Sequence, residues 1–187
     1  MGKEIELKYA ATPRQLQRLQ AHFDGFTPVT MQTTYYDTPD GQLSRRHITL
    51  RCRLENGVGI CTVKTPISGH GRGEWETPGT DITAAVPELC KLGCSVPLRE
   101  LTAPGLIPVC GARFTRLLRT LTVGETRVEL ALDQGVLLGG GREIPLCEVE
   151  LELKSGSEAD LQSFGCALSR LFSLTPEPKS KDRKSVV

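Results

Sequence analysis

The chain has 187 residues, enough for one domain with a real core. Its 39 % hydrophobic and 24 % charged residues are those of an ordinary globule, and 23 basic against 22 acidic residues leave a net charge of +1. That balance excludes the broad basic excess of a general nucleic-acid binder, and no apolar run approaches the roughly 18 residues of a membrane span.

The start, MGKEIELKYA, has no apolar signal region and no Ser or Thr at residue 6, so neither secretion nor myristoylation is expected and the predicted setting is cytoplasmic. Residues 3–9 alternate with period two, placing Glu4, Glu6 and Lys8 opposite Ile5, Leu7 and Tyr9. Thr12-Pro13 caps a helix carrying Leu16, Leu19 and Phe23 at helical spacing. A weaker strand is expected near 31–37, then a turn at Thr38-Pro39-Asp40-Gly41. Strands follow at 48–54, with Arg51 and Arg53 opposite Leu50, Cys52 and Leu54, and at 60–65, with Thr62 and Lys64 opposite Cys61 and Val63. A Gly-rich loop at 69–73 precedes Glu74 and Glu76, which flank Trp75 and set that ring on the other face.

A third helix is predicted within 83–93, with Pro87 near its start, and a weak strand at 114–122. Residues 127–133 set Arg127, Glu129 and Asp133 opposite Val128, Leu130 and Leu132. After a weak strand at 136–138, the triple glycine at 139–141 reads as a hairpin turn, because no GK[ST] follows it. Residues 147–154 set Glu148, Glu150, Glu152 and Lys154 opposite Cys147, Val149, Leu151 and Leu153. Ser157 with Asp160 resembles a capping box before a helix through Leu161, Phe164, Leu168, Leu171 and Phe172. The segment 175–187 is basic and poor in apolar residues. The seven cysteines are odd in number and form no CxxC, and only Cys90 and Cys94 are close, so reduced, partly buried thiols are expected rather than zinc or disulfides. His22, His47 and His70 are scattered and receive no catalytic role.

The class is a mainly antiparallel β domain with a few helices packed on it. A charged strand face ordinarily meets water. On an open, solvated sheet Arg51, Arg53 and Glu150 would face bulk solvent. Here, however, acidic, doubly arginine, lysine and again acidic strands follow one another instead of mixing signs within each strand. If the sheet closes with these faces inward, the lumen carries Glu4, Glu6, Glu74, Glu129, Asp133, Glu148 and Glu150 against Lys8, Arg51, Arg53, Lys64 and Arg116. Carboxylates at alternate positions suit a hard cation such as Mg²⁺ or Mn²⁺, and converging arginines and lysines suit a polyanion. The residues therefore point to a metal-bridged phosphate site.

The same segments resemble the CYTH, or triphosphate tunnel metalloenzyme, family. Glu4-Ile5-Glu6-Leu7-Lys8 resembles its opening ExExK, Tyr36-Asp37-Thr38 the turn after its second strand, and Leu50-Arg51-Cys52-Arg53 its LRxR strand. Thr62-Val63-Lys64, Arg72-Gly73-Glu74-Trp75-Glu76, Phe114-Thr115-Arg116, an ALDxG turn at 131–135, the strand at 148–154 and Ser180-Lys181 follow in the family's order. The resemblance implies a closed tunnel of eight antiparallel strands with a charged lumen and helices outside, as a single domain over 1–187. It implies Mg²⁺ or Mn²⁺ held by Glu6, Glu148 and Glu150, with Glu4 helping at a second metal or the attacking water. Lys8, Arg51, Arg53, Lys64, Arg116 and Lys181 would grip phosphates; Glu74 and Asp133 would orient water or basic side chains, and Lys8 with Glu4 would share in catalysis. Glu76, Arg127, Glu129 and Glu152 receive no role. After Ser180-Lys181 the family runs on through a small residue, an acid, an arginine and a glycine, whereas here Asp182, Arg183 and Lys184 follow and the sequence soon stops. That reads either as a weaker anchor for Lys181 or as a piece of a longer protein.

The expected activity is hydrolysis of inorganic triphosphate by a monomer or homodimer, without nucleic-acid or membrane partners. The alternatives are thiamine triphosphate or nucleoside triphosphate hydrolysis, adenylate cyclisation, and a non-catalytic polyphosphate-binding module. With 5 % aromatic residues there is little to build a ring or base pocket, which favours the inorganic substrate.

Overall fold

A computed structural model describes residues 2–67 and 72–185. The glycines and His70 of the loop at 69–71 lie outside the described residues. The elements are β1 (Gly2–Glu4), β2 (Glu6–Ala10), α1 (Pro13–His22), β3 (Thr27–Asp37), α2 (Gln42–Arg45), β4 (Thr49–Glu55), β5 (Val58–Pro66), β6 (Arg72–Pro78), α3 (Ile82–Lys91), α4 (Leu98–Thr102), β7 (Ile107–Val123), β8 (Thr126–Gly139), β9 (Arg142–Ser155), α5 (Glu158–Phe172), β10 (Thr175–Pro176) and α6 (Lys181–Ser185).

All the strands join one antiparallel sheet in the order β1-β6-β5-β4-β3-β7-β8-β9-β2-β10. This corrects the expected ring of eight: the sheet has ten strands, and no ladder among the described residues joins β1 to β10. The expected first strand is two, interrupted at Ile5, because its halves serve different neighbours. Gly2 pairs with Glu74 on β6, whereas Glu6 pairs with Glu152 on β9. Residues 2–10 therefore tie one end of the sheet to the other through the chain itself.

The expected fragments at 127–133 and 136–138 are one strand, and the resemblance's turn at 131–135 lies inside it. Gly135 makes this possible: a Cβ there would come within 2.1 Å of the Arg113 carbonyl on β7. The short helices α2 and α4, the two-residue β10 and α6 have no sequence counterpart above, since each is too short to show a period.

The outward apolar faces are covered in two places. Leu50, Val63 and Trp75 of β4–β6 pack under α3 and α4 with Ile82, Val86, Leu89, Leu98 and Leu101. Tyr9, Val128, Leu130, Val149 and Leu151 of β2, β8 and β9 pack under α1 and α5 with Leu16, Leu19, Leu161, Leu168 and Phe172. Helix α1 starts as expected, with Thr12 and Gln15 completing a capping box. Ser157 caps α5, but Asp160 does not reciprocate: its carboxylate accepts the Thr126 hydroxyl at 2.6 Å. Gly165 lets α5 lie close on β2, where a Cβ would meet Leu7 Cδ1 at 2.4 Å and the Tyr9 oxygen at 2.5 Å.

The cysteine expectation is corrected at one pair. Cys52 and Cys61 stand directly opposite on β4 and β5, their Cα atoms 4.2 Å apart, and form a disulfide. Residues facing each other at a close antiparallel position bring their Cβ atoms within bonding reach, a juxtaposition that depends on strand register and not on spacing in the sequence. Five cysteines stand outside it. Thiol titration of the unfolded, unreduced chain is expected to find five reactive thiols, against seven after reduction; seven before reduction would refute the bridge.

Candidate functional site

Alternation along the strands aims their charged residues to the face opposite the helices, where they line a cavity of about 320 Å³. Glu4, Glu6, Lys8, Arg51, Arg53, Lys64, Glu74, Arg116, Glu150 and Lys181 all line it. Arg51, Arg53 and Glu150 are thus not in bulk solvent, and Glu150 is only 8 % exposed. Asp133 and Glu148 lie deeper still, at 0 % and 1 %. Of the residues without an expected role, Glu76, Glu129 and Glu152 line the cavity, whereas Arg127 is exposed outside it.

One wall is a dense ionic cluster. Arg116 on β7 forks onto Asp133 at 2.7 and 2.6 Å and also donates to Glu150. Lys181 on α6 reaches Asp133, Glu148 and Glu150, its Nζ 2.8, 2.6 and 2.7 Å from one oxygen of each. Lys184, one turn on, pairs with Glu148 and lies 3.7 Å from Glu177. Lys8 lies 3.4 Å from Glu6 and 3.5 Å from Glu150. Burial alone would raise the Glu150 pKa, but Lys181, Arg116 and Lys8 hold it well below the usual carboxylate range. Asp133 and Glu150 likewise raise the Arg116 pKa against the opposing effect of burial.

The opposite wall is differently satisfied. Lys64 donates to Glu4 and lies 3.2 Å from Glu74, which is 3.9 Å from Arg51. Arg53 pairs with Glu55. The Nε atoms of Arg51 and Arg53 are buried with no hydrogen-bond acceptor. Burial, and then the neighbouring Arg51 charge, lower the Arg53 pKa. Buried guanidinium donors left without acceptors are what an anion would complete.

Three carboxylates, Asp133, Glu148 and Glu150, each offer an oxygen within 4.8 Å of the others. Such an all-oxygen set suits a hard divalent cation, and the Lys181 ammonium among them marks the position as one that attracts positive charge. Of the residues expected to hold metal, Glu148 and Glu150 are brought together there, joined by Asp133. Glu4 and Glu6 sit elsewhere in the cavity, beside Lys64 and Lys8.

Three cavity residues, Tyr35, Glu55 and Arg72, and Lys184 of the ionic cluster carry no expected part in the sequence analysis. Arg72 donates to the Thr49 hydroxyl at 2.9 Å and to the His47 carbonyl at 3.2 Å. It shares the face of Glu74 and Glu76 by the same period-two alternation, so its signal was present. Lys184 had none, because nothing in the sequence marks α6.

The sequence matches the CYTH domain over residues 2–186. The chain belongs to the CYTH domain family. This CYTH domain is 34 % identical over 173 residues to the inorganic triphosphatase of Haemophilus influenzae, a match covering 88 % of the chain and 49 % of that protein. The chain spans about half the length of that curated relative. Among solved structures, PH1819 from Pyrococcus horikoshii superposes with a TM-score of 0.64 at 22 % identity, over 95 % of this chain and 94 % of that one. HpAC1 from Hippeastrum, a candidate adenylyl cyclase with a dominant triphosphatase activity, superposes with a TM-score of 0.64 at 16 % identity, over 98 % and 97 %. At these identities the structural likeness establishes the fold of the CYTH domain: an antiparallel sheet with helices packed on it.

Proposed function

We propose that this CYTH domain hydrolyses short phosphoanhydrides, with inorganic triphosphate as substrate and Mg²⁺ or Mn²⁺ as cofactor. The observation that carries the reading is a cavity lined by Arg51 and Arg53, whose buried Nε atoms lack acceptors, and by Glu150, behind which Asp133 and Glu148 complete a carboxylate cluster. In this reading the sheet works as a tunnel, with residues 2–10 closing it between β9 and β6. The named activity of the Haemophilus influenzae relative supports the same class of substrate.

Asp133, Glu148 and Glu150, with Glu6 and Glu4 as further carboxylates nearby, would hold a divalent cation, which would neutralise charge at the phosphate oxygens and polarise phosphorus. Arg51 and Arg53 donate forked hydrogen bonds to the anion, and Lys8, Lys64, Arg116 and Lys181 add positive charge around it. Glu4 and Glu74 fix the Lys64 ammonium and are placed to orient a water between themselves and the phosphate. Asp133 holds Arg116 in its bidentate geometry.

An organic triphosphate is the second reading, and one observation favours it. A cavity of about 490 Å³ lined by Tyr36, Ile48, Leu50, Ile107 and Val109 adjoins the charged one, and Thr49 and Asp182 line both. The test is phosphate release from triphosphate, ATP and thiamine triphosphate side by side, with Mg²⁺, Mn²⁺ or EDTA. Metal-dependent cleavage confined to inorganic triphosphate is expected. Preference for ATP or thiamine triphosphate moves the assignment to the second reading, and no cleavage of any of them overturns both.

A further inference from the structure

We propose that helix α6 is a strap released by the divalent cation: Lys181 and Lys184 hold the carboxylates in the cation's absence, and cation and strap compete for the same oxygens. The inference rests on the metal reading above and adds a consequence of position. The Nζ of Lys181 stands 2.8, 2.6 and 2.7 Å from one oxygen each of Asp133, Glu148 and Glu150, the three carboxylates that would hold the ion, and Lys184 pairs with Glu148. The cluster is buried, with Asp133 and Glu148 at 0 % and 1 % exposure. A divalent ion taking those oxygens would stand against two ammoniums in a region of low dielectric, so the ammoniums must withdraw.

What leaves is decided by anchorage. Arg116 sits on the seventeen-residue β7, inside the sheet, and grips Asp133 with a bidentate fork. Lys181 and Lys184 sit on a five-residue helix after a two-residue strand. Beside its ionic contacts, α6 makes a 3.7 Å contact of Cys110 Sγ to the Asp182 carbonyl, a 3.5 Å contact of Thr49 to the Asp182 carboxylate, and a contact of Arg183 with His47. None of these three is a strong buried bond. Such a short element, tied through the ammoniums of two flexible side chains, is the part of the cluster that yields. Lys181 already lines the cavity, beside the Phe114 ring at 5.2 Å, so an ammonium freed from the carboxylates becomes available to an anion.

Two measurements on the full chain test this, neither of them an activity. Trypsin cleavage after Lys181, Arg183 and Lys184, followed by mass spectrometry with cleavage at Arg14 and Arg18 of α1 as the internal reference, is expected to accelerate severalfold when Mn²⁺ is added. Calorimetric titration with Mn²⁺ is expected to give about tenfold tighter binding to Lys184→Met than to the unsubstituted chain, a usual size for two mutually exclusive ligands. Lys184 is near the surface, its side chain 18 % exposed, and the proteolysis needs no substitution at all. Mn²⁺ binding that leaves α6 equally protected, or that is unchanged or weaker in Lys184→Met, overturns the strap and leaves the metal reading standing. No Mn²⁺ binding by either chain overturns the metal reading, and the strap with it.

Discussion

Glu150→Gln is expected to lower the rate of phosphate release from triphosphate by at least about a hundredfold, with the fold retained. Three cations of the ionic wall, Arg116, Lys181 and Lys8, converge on Glu150. Glutamine keeps the shape and one acceptor oxygen but removes the charge that balances those cations and that would face a divalent ion. The measurement is steady-state phosphate release with Mg²⁺ and with Mn²⁺, beside circular dichroism to verify folding. The comparison also separates an enzyme from a polyphosphate-binding module, in which basic residues alone suffice to hold the anion. Retained turnover in Glu150→Gln would sink the catalytic assignment of the acid cluster. Loss of turnover with polyphosphate binding intact would support it.

The second large effect is on stability. Arg116→Met is expected to cost about 3 kcal/mol, the low end for breaking a buried ion pair, because Lys181 stays within 2.8 Å of Asp133 and 2.7 Å of Glu150. The pH dependence gives the sign. Glu150 titrates lower in the folded chain than in the unfolded one, so the folded state binds fewer protons in between. Its contribution is complete above the unfolded carboxylate value of about 4.3 and is lost as pH falls through the depressed folded value. In urea melts with EDTA present, the unsubstituted chain should therefore lose stability on acidification from roughly pH 5 to pH 3. In Arg116→Met the loss should end at a higher pH, because one of the charges that depress Glu150 is gone. A loss that ends at the same pH in the two chains would mean that Arg116 does not set the Glu150 charge state.

Much of this site was legible before any coordinates, because strand alternation is a strict geometric rule. Once residues 48–54 are a strand, Arg51 and Arg53 must share a face, and the same holds for Glu148 and Glu150 on β9. Which faces turn inward was also legible, since the opposite faces are apolar and α1, α3 and α5 supply apolar cover. What could not be read were the relations between strands. The Cys52–Cys61 bridge depends on the register of β4 against β5, which no single strand encodes. The grouping of Asp133 with Glu148 and Glu150, rather than Glu6, depends on β8 pairing with β9 so that Asp133 faces Glu148. The position of Lys184 depends on α6, whose five residues are too few for a periodic signal.

The division of the first strand between the two ends of the sheet has a consequence for the order of synthesis. Strands β3 to β6 and β7 to β9 are successive antiparallel neighbours that can pair as each emerges. Residues 6–10, however, wait for much later ones: Glu6 meets Glu152, and Tyr9 meets Pro176. Glu4 can already face β5 and β6, but Glu6 and Lys8 have no wall to face until β9 has emerged, and Lys181 emerges later still. The nascent chain therefore carries part of its future cavity as separate acidic and basic strips open to water, and the charged cavity is completed only after β9 has paired.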